Sequence, residues 1–195
     1  MFKLSQFIRA CEAALRRPDP CQAVREIVAQ AMQNPSALEA ALVQTPPAAD
    51  EQTGQYIFLH RAPDLAILNV IMPPRLLSPP HNHLTWAVIG IYKGQENNIF
   101  YRRAGGCLAE SRRQDVAGPR VIVLDEEAIH SIANPLPERS CGLQIYGDAL
   151  DNPRRSLWNP FTWEEEAFQL QNYLQYEREM TTHGGRLNTR FPLTK

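Results

Sequence analysis

The sequence predicts a mainly β fold, an antiparallel sandwich or barrel, with helical segments at both ends. Short runs rich in Ile, Val, Phe and Tyr recur from Tyr56 to about Tyr146, separated by turn signals and not by helices. The 16 prolines stand above the roughly 5% average and disfavour a long helical bundle. Helical periodicity is confined to the two ends of the chain.

In the first zone Leu4, Phe7, Ile8, Cys11 and Leu15 recur at three and four residues, the spacing of one helix face. Arg17-Pro18-Asp19-Pro20 interrupts the pattern, and Val24, Ile27, Val28 and Ala31 resume it. Pro35 opens a third helix, with Asn34 as its cap, and Pro46-Pro47 closes the zone. In the middle zone the expected strands are Ala66–Met72, Trp86–Tyr92, Asn98–Arg102, Val121–Leu124 and Cys141–Tyr146. Their breaks are Pro73-Pro74, Pro79-Pro80, Lys93-Gly94, Gly105-Gly106 and Gly118-Pro119. In the tail, Thr162 and Glu165 read as a capping box ahead of a helix carrying Phe168, Leu170, Tyr173 and Leu174. The expected organisation is one domain over 1–195: a helical cap over 1–50, a β-barrel core over 55–158, and a C-terminal helix with its extension over 159–195.

Composition excludes several classes. The chain has 195 residues, 44% of them hydrophobic, enough for a packed core without disulfides. Twenty Lys and Arg against 21 Asp and Glu leave a net charge of -1, which argues against a nucleic-acid footprint or attraction to an anionic membrane. No apolar run approaches the roughly 20 residues of a membrane span. Lys3 and Arg9 interrupt any signal-peptide pattern, and Cys11, Cys21, Cys107 and Cys141 form no CxxC pair. The expectation is a soluble protein with reduced thiols in a cytoplasm, a monomer or homodimer.

The chemistry concentrates in Ser78-Pro-Pro-His81-Asn-His83-Leu-Thr-Trp86-Ala-Val-Ile-Gly90-Ile-Tyr92-Lys-Gly94. On a strand, residues i and i+2 share a face, so His81 and His83 project side by side. Buried imidazoles need a partner, and a metal ion supplies one. By itself an HxH pair is more often hydrogen-bonded than ligating. A third donor from another strand would decide the matter, and His130, in Ala128-Ile-His130-Ser-Ile-Ala-Asn134, is the candidate. His60 and His183 have no neighbours of that kind.

These motifs resemble the cupin superfamily, in particular its thiol dioxygenase branch of cysteine and 3-mercaptopropionate dioxygenases. His81, His83 and Gly94 match the first cupin motif, with Ala87 in the place of its Glu, and His130 with Asn134 matches the second. The run through Trp86, Ile89-Gly90-Ile91-Tyr92 and Gly94, followed by Tyr101-Arg102-Arg103, is similar to that branch. The resemblance implies a cupin double-stranded β-helix, that is, a jelly-roll barrel, with N-terminal helices and a C-terminal helical segment. It also implies a non-haem Fe(II) held by His81, His83 and His130, and oxidation of a small thiol by O2 to its sulfinic acid. Three neutral imidazoles leave the ion its full charge, which favours an anionic soft donor such as a thiolate. Arg155, nine residues after Tyr146, matches the branch's carboxylate anchor, a role that suits a guanidinium fork; Arg154 is its immediate neighbour.

The resemblance is incomplete on one strand. Where the branch carries Ser-x-His-x-Tyr, this chain reads Gly142-Leu-Gln144-Ile-Tyr146. Gln144 can hold Tyr146 by hydrogen bonding but cannot titrate near neutrality. The cysteine of the thioether crosslink in some relatives falls at Val88, so no crosslink is expected. The site residues are therefore Tyr146 and Gln144 for catalysis, Arg155 for substrate, and the three histidines for metal. Three alternatives stay open: a cupin acting on another small anion such as a diketone, a non-enzymatic metal- or metabolite-binding cupin, and a zinc hydrolase.

Overall fold

The structure, a computed structural model, describes residues 1–42 and 52–182. Three N-terminal helices come first: α1 (Leu4–Ala14), α2 (Pro20–Ala31) and α3 (Pro35–Leu42). The proline cluster that breaks the periodicity also starts α2: Pro20 occupies its first turn, and the Asp19 side chain accepts from Gln22 N at 2.9 Å. Asn34 caps α3 by accepting from Ala37 N. Pro46-Pro47 lies outside the described residues, as does His183.

Eleven strands follow: β1 (Gln55–Ala62), β2 (Leu65–Met72), β3 (His81–Asn82), β4 (Ala87–Lys93), β5 (Gln95–Ala104), β6 (Cys107–Ala117), β7 (Arg120–Leu124), β8 (Ile129–Ala133), β9 (Ser140–Tyr146), β10 (Ser156–Trp158) and β11 (Glu165–Ala167). They form two antiparallel sheets, in the orders β1-β2-β9-β4-β7 and β11-β10-β3-β8-β5-β6. The pairs β5–β6, β4–β7, β3–β8 and β2–β9 are nested, so strands 2 to 9 are one long hairpin. Along each arm of that hairpin, β2 to β5 and β6 to β9, successive strands alternate between the two sheets, which wraps it into a double-stranded β-helix. The expected mainly β jelly roll with helical ends is the observed fold.

The central strands of the first sheet are buried on both faces, and this is why β2 and β9 read as nearly continuous apolar runs. Leu65, Ile67, Val88, Leu143 and Ile145 face the three helices. Ala66, Leu68, Val70, Ala87, Ile89 and Tyr146 face the barrel interior. At Gly90 the helix side chains press on β4: a Cβ there would lie 2.7 Å from Val28 Cγ1 and Met32 Cε. Asn134 pins the approach to β3, its Nδ2 donating to Pro73 O at 2.9 Å and Glu138 O at 2.7 Å.

The tail differs from the expected capping box. Residues 159–164 form a turn closed by Asn159, whose Oδ1 accepts from Phe161 N and Thr162 N. Trp163 then sits at φ +65°, which ends any helical path. Glu165 leaves for β11, where it meets Arg103 and Ser156 Oγ. The helix α4 (Leu170–Thr182) begins only after that strand.

Candidate metal centre

His81 occupies β3, His83 follows immediately after it, and His130 lies directly opposite His81 in the β3–β8 register. All three are buried, and a ring nitrogen from each lies within 4.8 Å of the others. The ring centroids are 4.7 to 5.1 Å apart. The proline turn before β3 sets the first ring: His81 Nδ1 lies 3.1 Å from Pro79 O, so that nitrogen carries the proton and Nε2 keeps its lone pair. His130 Nδ1 likewise lies 2.9 Å from Asn98 Oδ1.

Burial holds the His81 pKa down to about 3, partly countered by the Pro79 bond. Burial also takes His83 and His130 well below the usual value, and the neighbouring imidazoles reinforce it. All three rings are therefore neutral at physiological pH. His83 Nδ1 and His130 Nε2 are buried without a hydrogen-bond partner. Two orphaned buried nitrogens among three converging neutral imidazoles form a donor set suited to a divalent metal ion.

The histidines line a cavity of about 310 Å³ at the mouth of the barrel. Its far wall brings in residues that are distant in sequence. Arg155 is 7% exposed; its Nε donates to Asn82 O at 3.1 Å and its Nη1 to Leu150 O at 2.9 Å. The guanidinium lies 3.9 Å over the Phe168 ring. Those bonds use two of its five N–H groups, and Arg155 lines the cavity. Arg154, its neighbour, is exposed and lies on a different surface depression with Asp125 and Glu127. Ser156 N donates to Asn82 Oδ1 at 2.7 Å, which ties the arginine segment to the residue between the two histidines.

On β9, Gln144 and Tyr146 both line the cavity, and Tyr146 Oη donates to Gln144 Oε1. Burial raises the Tyr146 pKa, so its hydroxyl stays protonated. The β4–β9 register sets Ala87 opposite Tyr146, whereas Val88 faces the helices. The side chain across from Tyr146 is thus the methyl of Ala87. His60 stands apart, with Nε2 3.5 Å from Glu12 Oε1.

No family model matches the sequence, and no curated protein matches it. Solved structures that resemble it include a cupin superfamily protein from Desulfitobacterium hafniense DCB-2, at 17% identity over 52% of this chain and 84% of that one, TM-score 0.43. A double-stranded β-helix protein from Klebsiella pneumoniae subsp. pneumoniae MGH 78578 shows 12% identity over 58% and 84%, TM-score 0.43. KdgF from Halomonas sp. shows 13% identity over 54% and 89%, TM-score 0.43. These likenesses are weak in sequence and partial in structure. The fold rests on the strand pairing above, and the chemistry rests on the residues of the cavity.

Sequence reasoning missed part of the wall. Tyr56 from β1 and Tyr173 from α4 line the cavity, with hydroxyls 3.1 Å apart, and the Tyr173 ring packs edge-on to His81 at 5.1 Å. Behind them Glu177 is fully buried and accepts from Tyr56 Oη and from Gly54 N at 3.0 Å. Burial pushes its pKa up to about 7. This cluster fastens α4 to β1 across the barrel mouth. A readable signal existed: Glu177 falls four residues after Tyr173 and three before Met180, an acid inside an apolar helical stripe.

Proposed function

We propose that the protein is a cupin of the thiol dioxygenase type, a non-haem Fe(II) enzyme that adds both atoms of O2 to the sulfur of a small thiol carboxylate, such as cysteine or 3-mercaptopropionate, to give the sulfinic acid. One observation carries the reading. Three neutral imidazoles and the Arg155 guanidinium open onto the same cavity, and no Asp or Glu side chain lines it among the described residues. A cavity with that charge suits an anion with two negative ends, a thiolate and a carboxylate.

His81, His83 and His130 would hold the iron, which supplies a cationic centre for a thiolate and for dioxygen. The remaining tasks fall to the protein. Arg155 presents its unused N–H groups to the carboxylate and fixes the substrate's length and direction. Phe168 holds the guanidinium plane, and Tyr56 with Tyr173 narrows the entrance. Tyr146 stays protonated and gives its O–H to Gln144 Oε1, so it presents oxygen lone pairs, not a charge, beside the histidines. Leu68, Ile132 and Phe168 add apolar wall that excludes water from the sulfur, and Arg61, also on the wall, is half exposed and pairs with Asp151. A thiol substrate belongs in a reducing compartment, which also suits the unpaired Cys11, Cys21, Cys107 and Cys141.

The test is oxygen uptake by Fe(II)-loaded protein with cysteine, 3-mercaptopropionate and cysteamine, with sulfinate measured as product. The expected result is uptake with a thiol acid at matched O2 and sulfinate stoichiometry, and weak uptake with cysteamine, which has no carboxylate. Uptake no greater than that of free iron for all three thiols, with iron bound, would overturn the thiol reading.

A further inference from the structure

The inward face of β5 carries two polar residues that substrate chemistry does not use. Glu96, Asn98 and Phe100 alternate toward the interior, at 1%, 0% and 5% exposure. The β5–β8 register sets Phe100 directly opposite His130, so Asn98 is its diagonal neighbour on the same face. The Phe100 ring lies nearly parallel to the imidazole at 5.9 Å. Asn98 Oδ1 meets His130 Nδ1 at 2.9 Å, and Asn98 Nδ2 donates to Glu96 Oε1 at 3.0 Å.

We infer that Glu96 and Asn98 are positioning residues that hold His130 in the one tautomer able to bind a metal. The inference rests on the reading of this cavity as a metal centre. A neutral imidazole has one N–H and one lone pair. With the amide oxygen of Asn98 facing Nδ1, the proton sits on Nδ1 and the lone pair on Nε2, the nitrogen left buried without a partner. A reversed amide would offer N–H to Nδ1, move the proton to Nε2 and close the site. The acceptor on the far side makes the choice. Ionised, as it is at pH 8, the Glu96 carboxylate accepts only, so Asn98 must turn its NH2 toward Glu96 and its oxygen toward His130. A glutamine at 96 could serve either orientation of Asn98 and would enforce neither. The protein keeps a carboxyl here although burial pushes its pKa up to about 7.

The test uses Glu96→Gln and Asn98→Leu, with His81→Ala as the check on the metal itself. In metal-free protein at pH 8, 15N chemical shifts of labelled histidine read the tautomer. Wild-type His130 is expected as the Nδ1–H form, Glu96→Gln as a mixture, and Asn98→Leu without the preference. Co(II) affinity, measured against a competing chelator, should fall about 10- to 100-fold in Asn98→Leu. In Glu96→Gln it should fall several-fold, with a shift in the Co(II) visible bands. His81→Ala should lose Co(II) binding. If both variants keep the wild-type His130 shifts and Co(II) affinity while His81→Ala loses binding, the positioning role is overturned and the metal reading stands. If the wild type itself takes up no Co(II), the metal reading fails, and the His130 shifts alone decide the tautomer role. If Asn98→Leu does not fold, Glu96→Gln carries the same test: a merely structural hydrogen bond would survive that exchange with tautomer and affinity unchanged.

Discussion

Under the proposed function, replacing Arg155 with Gln removes the buried charge that would anchor a carboxylate; Arg61, which also lines the cavity, is half exposed and pairs with Asp151. The side chain also supports backbone, since it donates to Asn82 O and Leu150 O, and Asn82 stands between His81 and His83. Two losses must therefore be separated. Truncating one partner of a buried charge pair costs about 2–5 kcal/mol. At about 1.4 kcal/mol per factor of ten, that is about 30-fold to a few thousand-fold in kcat/KM for a thiol acid. Unsatisfied backbone carbonyls and disturbance of the histidine strand act on every thiol alike. The assay is oxygen uptake by the iron-loaded variant with 3-mercaptopropionate and with a thiol of similar length that has no carboxylate. The ratio of the two kcat/KM values should fall toward one, mainly through KM, because the carboxylate is held equally before and during the chemical step. Arg155→Lys should recover part of the ratio, since it keeps the charge and loses the fork. Equal losses for both thiols would refute Arg155 as the anchor and leave it as support for the strand.

Three further outcomes follow from the same geometry. A saturating divalent metal at a thousand times its Kd should stabilise the fold by about 4 kcal/mol. For a domain of this size that is a rise of about 8–16 °C in Tm, absent in His130→Ala and reversed by a chelator. In metal-free protein, the unfolded chain takes up three histidine protons below pH 6.5 that the folded state refuses, so stability falls with acid. Glu96 and Glu177, with pKa values near 7 in the fold and 4.5 outside it, oppose this between pH 4.5 and 6.5, because there the folded state keeps two protons the unfolded chain has released. The net of about one proton predicts a gentle decline of about 1.4 kcal/mol per pH unit, steepening below pH 4.5. Glu96→Gln should steepen the upper window in urea unfolding, and a flatter profile would contradict the assignment. Gly90→Ala should cost about 1–3 kcal/mol by overpacking against Val28 and Met32, read in urea unfolding, and leave metal affinity unchanged.

The parts of the fold that the sequence made legible are those where one physical pattern dominates. Strands buried on both faces, β2 and β9, announce themselves as apolar runs, and α1 and α2 as apolar stripes ended by prolines. Strand β6 was missed because most of its residues face solvent, so Glu110, Arg112, Arg113 and Asp115 give no alternation to read. The capping box at Thr162 was misread because an Asn-centred turn and a helix cap use the same short polar residues, and only the Trp163 backbone separates them. Strand β3 is two residues long and has no periodicity; His81 in it and His83 just after it were legible by chemical type alone. The walls of the cavity were legible only in part, because Tyr56, Phe168 and Tyr173 look like ordinary apolar positions until the fold brings β1, the residue after β11, and α4 around one opening.

The two neutral positions near the histidines acquire a common meaning from this geometry. The resemblance places Ala87 where a cupin motif carries Glu and Gln144 where the thiol dioxygenase branch carries His; in the structure Ala87 faces Tyr146 and Gln144 accepts its hydrogen bond. A carboxylate at 87 would compete with an incoming anion for the cationic site proposed above, and a histidine at 144 would add a group that titrates near neutrality. With both positions neutral, the nearest buried carboxyls are held at a distance by intermediaries: Glu96 reaches His130 only through Asn98, and Glu177 reaches the cavity only through Tyr56 and Tyr173. The protein thus keeps acids near enough to orient its donors and excludes them from the surface a substrate meets. Under the proposed function, that arrangement favours anionic ligands, because the substrate's own charge is left to neutralise the site.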